Sequence, residues 1–323
     1  MTVKKTAAST PLWGEKPYRS LDYEWKKQYG EKIYKVSLNG GMTCPNRDGT
    51  VGHGGCIFCS GGGSGEFASD PALSIREQIE SGKERLSHKR PVNAYIAYFQ
   101  AFTNTYAPVD YLRTIFTEAI AHPQVVLLSI ATRPDCLQPE IVELLTQLNQ
   151  IKPVWVELGL QTMHEDTARD IRRGYPLSVF EDAVNRLRAA GLEVIVHTIL
   201  GLPGEDQERM FETLHYLNDQ DIQGIKLQLL HILKGTDLAV RYAEDPFHVF
   251  TMEEYVKLIP ACVEILRPDL VIHRLTGDGP KDLLIEPRWS LAKRTVLNSI
   301  HREFRLQDTW QGKKYRKKET PYG

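Results

Sequence analysis

Short apolar runs alternating with stretches of helical spacing constrain the fold of this chain more than any other feature. The runs cover residues 33–38, 94–99, 125–131, 154–160, 193–200, 225–230 and 270–273. Between them, Leu112, Ile115, Phe116, Ala119 and Ile120 share one helical face, as do Ile141, Leu144, Leu145 and Leu148. Tyr255, Leu258, Ile259, Cys262 and Leu266 repeat the pattern later. Apolar strands followed by one-sided helices predict a parallel sheet covered by helices. About six or seven such units fit, short of a full eight-unit barrel. The expected fold is α/β, a partial (β/α)6-type barrel over residues 31–280 with a long loop at 39–66. Residues 1–30 are expected as an N-terminal extension and 281–323 as a small helical, basic C-terminal one.

In parallel barrels, function gathers in the loops after the carboxyl ends of the strands, and the unusual segments fall there. The 39–66 loop follows the first run, residues 100–106 the second and 132–136 the third; Gln161 follows the fourth and 201–205 the fifth. A formal charge of −1 over 323 residues gives no global basic field, so a polyanion would have to meet a local patch. Met1 to Thr10 are small and polar around Lys4 and Lys5, without the apolar core of a secretory signal. No apolar run approaches the ~20 residues that cross a bilayer. A cytoplasmic protein without membrane contact is expected.

Five cysteines are too few and too uneven for a disulfide scaffold, yet Cys44, Cys56 and Cys59 fall within sixteen residues. In a reducing compartment such a cluster points to metal binding or chemistry. Three thiolates can hold three irons of a [4Fe–4S] cluster and leave the fourth open to a chelating amino-carboxylate. The glycines around them let backbone approach the cluster and donate N–H groups to its sulfurs, and Phe58 is placed to pack on an adenine ring. With His53, the same cysteines could make a four-ligand structural zinc site, and the loop alone leaves both readings open. Glu157, in an apolar strand, must be paired or functional, since an unpaired buried carboxylate is costly. His197 and His231 read first as satisfied core or rim histidines. Cys262 reads as a core residue, and Cys136 as the remaining cysteine able to face the site.

Set in the barrel pattern, this loop resembles the entry to a radical S-adenosylmethionine (SAM) domain with a TIM-like barrel. From about Tyr18 onward the chain is similar to the branch containing the Elongator catalytic subunit, the methylthiotransferases and the oxygen-independent coproporphyrinogen oxidases. Within that branch it looks like the stand-alone YhcC/YtqA-like family. The cysteine gaps of eleven and two residues resemble the widened first gap of the Elongator subunit. Thr132-Arg-Pro-Asp135, Glu157-Leu-Gly-Leu-Gln161, Leu200-Gly-Leu-Pro-Gly-Glu205 and the segment from Lys226 to Thr236 resemble its motifs at corresponding strand ends. The resemblance implies cluster ligands Cys44, Cys56 and Cys59. It implies SAM contacts at Phe58, Gln100, Thr103, Thr132, Glu157, Gln161, Arg173, His197 and Leu202. Gln100 to Phe102 stand where relatives have glycines, Ala131 where some have glutamate and His197 where some have aspartate. An arginine at 173 suits the methionyl carboxylate region as a charge-assisted partner.

The chemistry implied is reductive. A cellular one-electron reductant feeds the cluster, SAM is cleaved to methionine and a 5′-deoxyadenosyl radical, and that radical takes hydrogen from an unreactive carbon. No residue is singled out as catalytic beyond the cofactor ligands. The segment 271–277 is also similar to the Elongator subunit, which implies tRNA as partner and the C5 substituent of a wobble uridine as target. The run Lys313-Lys-Tyr-Arg-Lys-Lys318, with Trp310 and Tyr315 nearby, offers charge and stacking surface for RNA. Lys26, Lys27, Arg288, Lys293 and Arg294 are expected to extend that patch. A solvated tail is the plain alternative. Two rival functions are a radical SAM enzyme for a small molecule or protein, and a zinc-stabilised module that binds RNA or protein.

Overall fold

The computed structural model describes residues 12–87 and 93–317. Seven parallel strands form one sheet in the order β1-β2-β3-β4-β5-β6-β8. They are β1 (Tyr34–Leu38), β2 (Tyr95–Phe99), β3 (Val125–Thr132), β4 (Val154–Gln161), β5 (Glu193–Leu200), β6 (Gly224–Leu229) and, after the short β7 (Ile232–Leu233), β8 (Val271–Arg274). Each successive strand is added beside the last. With crossovers of one hand, sequential order puts the helices on one face and curls the sheet around the other. The result is a half-barrel, as the periodicity predicts, with β1 and β8 at its edges.

The convex face is covered by α2 (Ile75–Ser87), α3 (Val109–Ala121), α4 (Pro139–Asn149), α6 (Leu177–Ala189), α7 (Gln207–Asn218) and α9 (Met252–Ile265). Their buried faces hold the residues the helical spacing picked out, including Leu112, Phe116, Leu144, Leu148, Tyr255 and Cys262. Local chemistry sets the ends. Asp206 caps α7, and Thr251 with Glu254 closes a capping box on α9. Short α5 (Glu165–Asp170) and α8 (Asp237–Glu244) line the carboxyl-end loops. Among the described residues no helix is long and apolar enough to cross a membrane.

The concave face is plugged from below. Helix α1 (Leu21–Tyr29), capped by Ser20 and ended by Gly30, sends Trp25 under the strands, where it stacks on Trp155 with ring centroids 5.1 Å apart. Ile33, Ile96, Leu127 and Ile195 complete this small apolar layer. The alternation left two elements unread. Strand β7 pairs antiparallel with β9 (Leu284–Glu286), and a 3-10 turn, Arg288–Leu291, leads from that ribbon into α10 (Lys293–Leu306), which packs on α9.

Candidate functional site

Above the apolar plug the inward positions of the strands turn polar. Glu157, in the middle of β4 with its side chain fully buried, accepts from Lys35 Nζ at 2.6 Å and Ser129 Oγ at 2.7 Å on Oε1. Its Oε2 accepts from His197 Nε2 at 2.7 Å and from Lys226 Nζ. Tyr98 lies between the two ammonium groups, 4.4 Å from Lys35 and 4.7 Å from Lys226 at its ring centroid. Burial alone would raise the Glu157 carboxyl, but Lys226 and then Lys35 hold it well below the ordinary range. Burial holds His197 down at about 4, so it is the neutral ring, protonated on Nε2, that donates to Glu157. The sequence marks Glu157 as a lone charge in an apolar strand. Lys35 and Lys226 carry the same signal on β1 and β6, and it went unread there.

This layer floors a cavity of about 690 Å³ at the carboxyl ends of the strands. Cys44, Cys56 and Cys59 stand on one wall, with Phe58, Gln100, Thr103, Thr132, Gln161 and His197 also lining it. The cysteine loop is built by local turns. The N–H of Arg47 donates to Cys44 O at 2.8 Å, and that of Cys59 to Cys56 O at 3.0 Å. Buried Asn46 donates to Arg172 O at 2.6 Å and reaches Cys56 Sγ at 3.5 Å, while Arg47 donates to Cys59 O at 2.9 Å. Ile57 anchors the loop in an apolar cluster with Ile171 and Leu202.

The donor set fits a cluster better than a single ion. Burial, then the neighbouring Cys59, pushes the Cys56 thiol up to about 12, as for thiols gathered where a metal's charge would be needed to stabilise thiolates. His53, the fourth ligand of the zinc reading, is exposed, is not among the cavity-lining residues, and lies over Gly49. A cluster takes one thiolate per iron and needs no fourth protein ligand.

Two SAM-contact expectations fall outside the cavity lining. Leu202 is buried beneath the cysteine loop. Arg173 is 1% exposed, and its guanidinium donates to Thr162 O at 2.7 Å, Leu160 O at 3.3 Å and Tyr175 O at 3.0 Å. The carbonyls of Leu160 and Thr162 flank Gln161, which sits at a bulge with φ 65°. Arg173 thus acts on Gln161 through the backbone. Gly159 is needed at the same place, because a Cβ there would lie 2.6 Å from the Gln161 amide nitrogen. Arg133, like Arg47 and Arg274, does line the cavity; Asp135 holds it at 2.7 and 2.9 Å and it donates to Arg173 O. Cys136 is buried off the cavity, and His231 lines it.

The expected basic patch divides in two. Gln311 donates to the carbonyls of Arg267 and Leu270, both at 2.8 Å, and its N–H reaches Pro17 O. The segment after α10 is therefore packed at the amino end of β8, at the far side of the sheet from the cysteines. Lys313 lies 4.7 Å over the Trp310 ring and Lys314 pairs with Glu264. Helix α1, with Lys26 and Lys27, plugs the same end. Arg288, Lys293 and Arg294 are exposed where the 3-10 turn enters α10, and Lys293 lines the cavity. Lys318 lies outside the described residues, as do Met1 to Thr10.

Residues 45–217 match the family model of the radical SAM superfamily, and residues 222–305 match that of the radical SAM C-terminal domain. An uncharacterized protein of Bacillus subtilis, YtqA, is 46% identical over 94% of this chain and 95% of its own length. The Escherichia coli protein YhcC is 35% identical over 81% and 84%. A tRNA uridine(34) acetyltransferase of Methanocaldococcus jannaschii is 23% identical over 85% of this chain but only 55% of its own length. The structure of the archaeal Methanocaldococcus infernus Elp3 with an N-terminal deletion superposes with a TM-score of 0.65 at 16% identity, covering 86% of this chain and 64% of that one.

Proposed function

This chain belongs to the radical SAM superfamily, and from that premise we propose that it holds its cluster on Cys44, Cys56 and Cys59 and modifies the C5 substituent of a wobble uridine in tRNA. Members of the superfamily bind a [4Fe–4S] cluster and SAM, and the chain is an enzyme of the radical SAM kind. The observation that carries the reading is the three thiols on one wall of a cavity that opens at the carboxyl ends of a parallel half-barrel. When bound, the two cofactors supply a one-electron cleavage whose product radical takes hydrogen from an unreactive carbon.

The chain's own residues hold and orient. The cysteines would carry three irons. Gln161, fixed by Gly159 and by Arg173 on either side, and Thr132, Thr103 and Gln100 would meet SAM's polar groups. Phe58 offers an apolar face for its adenine. Neutral His197 and the ionised Glu157 keep the floor polar.

Support for an RNA substrate comes from the relative named as a tRNA uridine(34) acetyltransferase and from Arg288, Lys293 and Arg294 beside the cavity mouth. The basic run after Trp310 gives none at the site, because it packs at the opposite end. Protein purified without oxygen and reconstituted with iron and sulfide should be brown, and with dithionite and SAM should release 5′-deoxyadenosine. The Cys44→Ala, Cys56→Ala, Cys59→Ala triple variant should do neither. A colourless wild type that retains zinc and leaves SAM intact sinks the proposal. Hypomodified tRNA should then bind with a salt dependence that weakens in Arg288→Ala, Arg294→Ala. No measurable tRNA binding moves the substrate to a small molecule or a protein.

A further inference from the structure

A second lobe of the cavity is the part lined by β6, β7, the residues from Arg274 to Pro280 and Lys293, and no residue assigned to cluster or SAM belongs to it. Lys226, Gln228, His231, Arg274, Asp278 and Lys293 line it. Two carboxylates stand in and beneath this lobe, and each is set against two cations. Glu157 holds Lys35 and Lys226, and Asp278 meets Arg274 at 3.1 Å and Lys293 at 2.5 Å. His231 adds no charge near pH 7, since burial holds it down at about 4. Its Nε2–H donates to Ser290 Oγ, whose own proton goes to Pro287 O. Gly277 allows this ring to lie close, because a Cβ there would come within 2.5 Å of His231 Cε1, and the glycine-flanked loop presents Asp278 to the two cations.

Arg274 and Lys293 share the one carboxylate of Asp278 and leave positive charge at the lobe, while burial holds the Lys226 ammonium well below the ordinary lysine range. Unbalanced cations in a partly enclosed space cost free energy that an incoming anion recovers. Arg274 shows it most clearly. A guanidinium has five N–H donors. Asp278 is its one ion pair among the described residues, and the Arg274 side chain lines the cavity. Lys293, with 47% of its side chain exposed, stands at the mouth of the same lobe.

We propose that this lobe is a binding subsite for an anionic group, carboxylate or phosphate, held between Arg274 and Lys293 with Lys226 beneath it, and that Asp278 competes with that group for the two outer cations. Calling its carrier the substrate rests on the proposed function; the anion site itself does not.

The test is titration of the anaerobic, iron–sulfur-reconstituted protein with inorganic phosphate and, separately, malonate, followed by calorimetry. Wild type should bind one or both, less tightly as sodium chloride is raised. Arg274→Gln should bind about tenfold more weakly, as for one lost charge-assisted contact. Asp278→Asn should bind several-fold more tightly, because it frees both cations. Opposite signs at two residues of one ion pair are not what a general loss of structure produces. A preference for phosphate assigns the anion to a nucleotide's phosphate, and a preference for malonate to a carboxylate-bearing substituent. Absence of anion binding to wild type, or equal affinities in all three proteins, overturns the subsite. SAM binding to the same wild-type sample is read independently. If it fails while the anion binds, the function is wrong and the subsite stands; if SAM binds and the anions do not, the reverse holds.

Discussion

The concave face of the sheet has two halves made by the same strands, and they have opposite characters. Toward the amino ends, Ile96, Leu127, Trp155 and Ile195 close on Trp25. Two residues further along the strands, Tyr98, Ser129, Glu157 and His197 take their place, joined by Lys35 and Lys226. Side chains alternate with period two, so a step of two residues keeps the face and changes only the depth. The difference shows where a half-barrel puts stability and where it puts chemistry. Its lower layer excludes water, and its upper layer holds charge in a low-dielectric setting where each ion needs its partner.

The largest effect that would sharpen this contrast is expected from Glu157→Leu. It strands Lys35 and Lys226 and should cost about 3–5 kcal/mol of stability, the usual range for breaking a buried charge network, and abolish SAM cleavage. Denaturant midpoints and 5′-deoxyadenosine yield read the two losses. Trp25→Ala should cost a similar ~3–5 kcal/mol through cavity formation, yet the folded variant should retain its iron. If Trp25→Ala empties the protein of iron while Glu157→Leu leaves stability unchanged, the two halves do not divide the work.

Acid should act on buried histidines of both halves, on His197 and His231 above and on His273, beside Trp155, below. An unfolded histidine takes up a proton near 6.5, whereas burial holds His197 and His231 at about 4. Between those values the unfolded chain binds more protons, so stability is full above pH 6.5 and falls as the pH drops toward 4. Glu157, whose folded value lies below its unfolded 4.5, adds a further loss at lower pH in the same direction. Urea midpoints measured from pH 7 to 5 should decline; a flat series would remove the charged layer from the account. Gly159→Ala should leave stability nearly unchanged, because the Cβ meets the far end of the Gln161 side chain rather than backbone, while weakening SAM binding about tenfold as that amide is displaced. The smallest effect belongs to the far end. Lys313→Ala should change stability by less than about 1 kcal/mol and leave iron content and tRNA affinity as they were.

Much of this was legible in the chain. The seven strands fall within a residue or two of the apolar runs, since strand and helix periods are local properties of consecutive residues. The cysteine spacing and its place after the first strand were equally local. The ribbon of β7 and β9 was missed because each strand is too short to show a period.

By itself the sequence determined the alternation, the order of the strands and which loops reach the active rim. Only the tertiary structure decided which side chains meet. Lys35 and Lys226 are 122 and 69 positions from the Glu157 they share, and curvature and register bring them together. The guanidinium of Arg173 reaches the carbonyls of Leu160 and Thr162 on either side of Gln161, a meeting that no local spacing shows. The basic tail looked like part of the site until Gln311 fastened it to the opposite end of the barrel. Periodicity records which face a residue takes. Depth along the face, and the neighbour across it, depend on strands that are far apart in the chain.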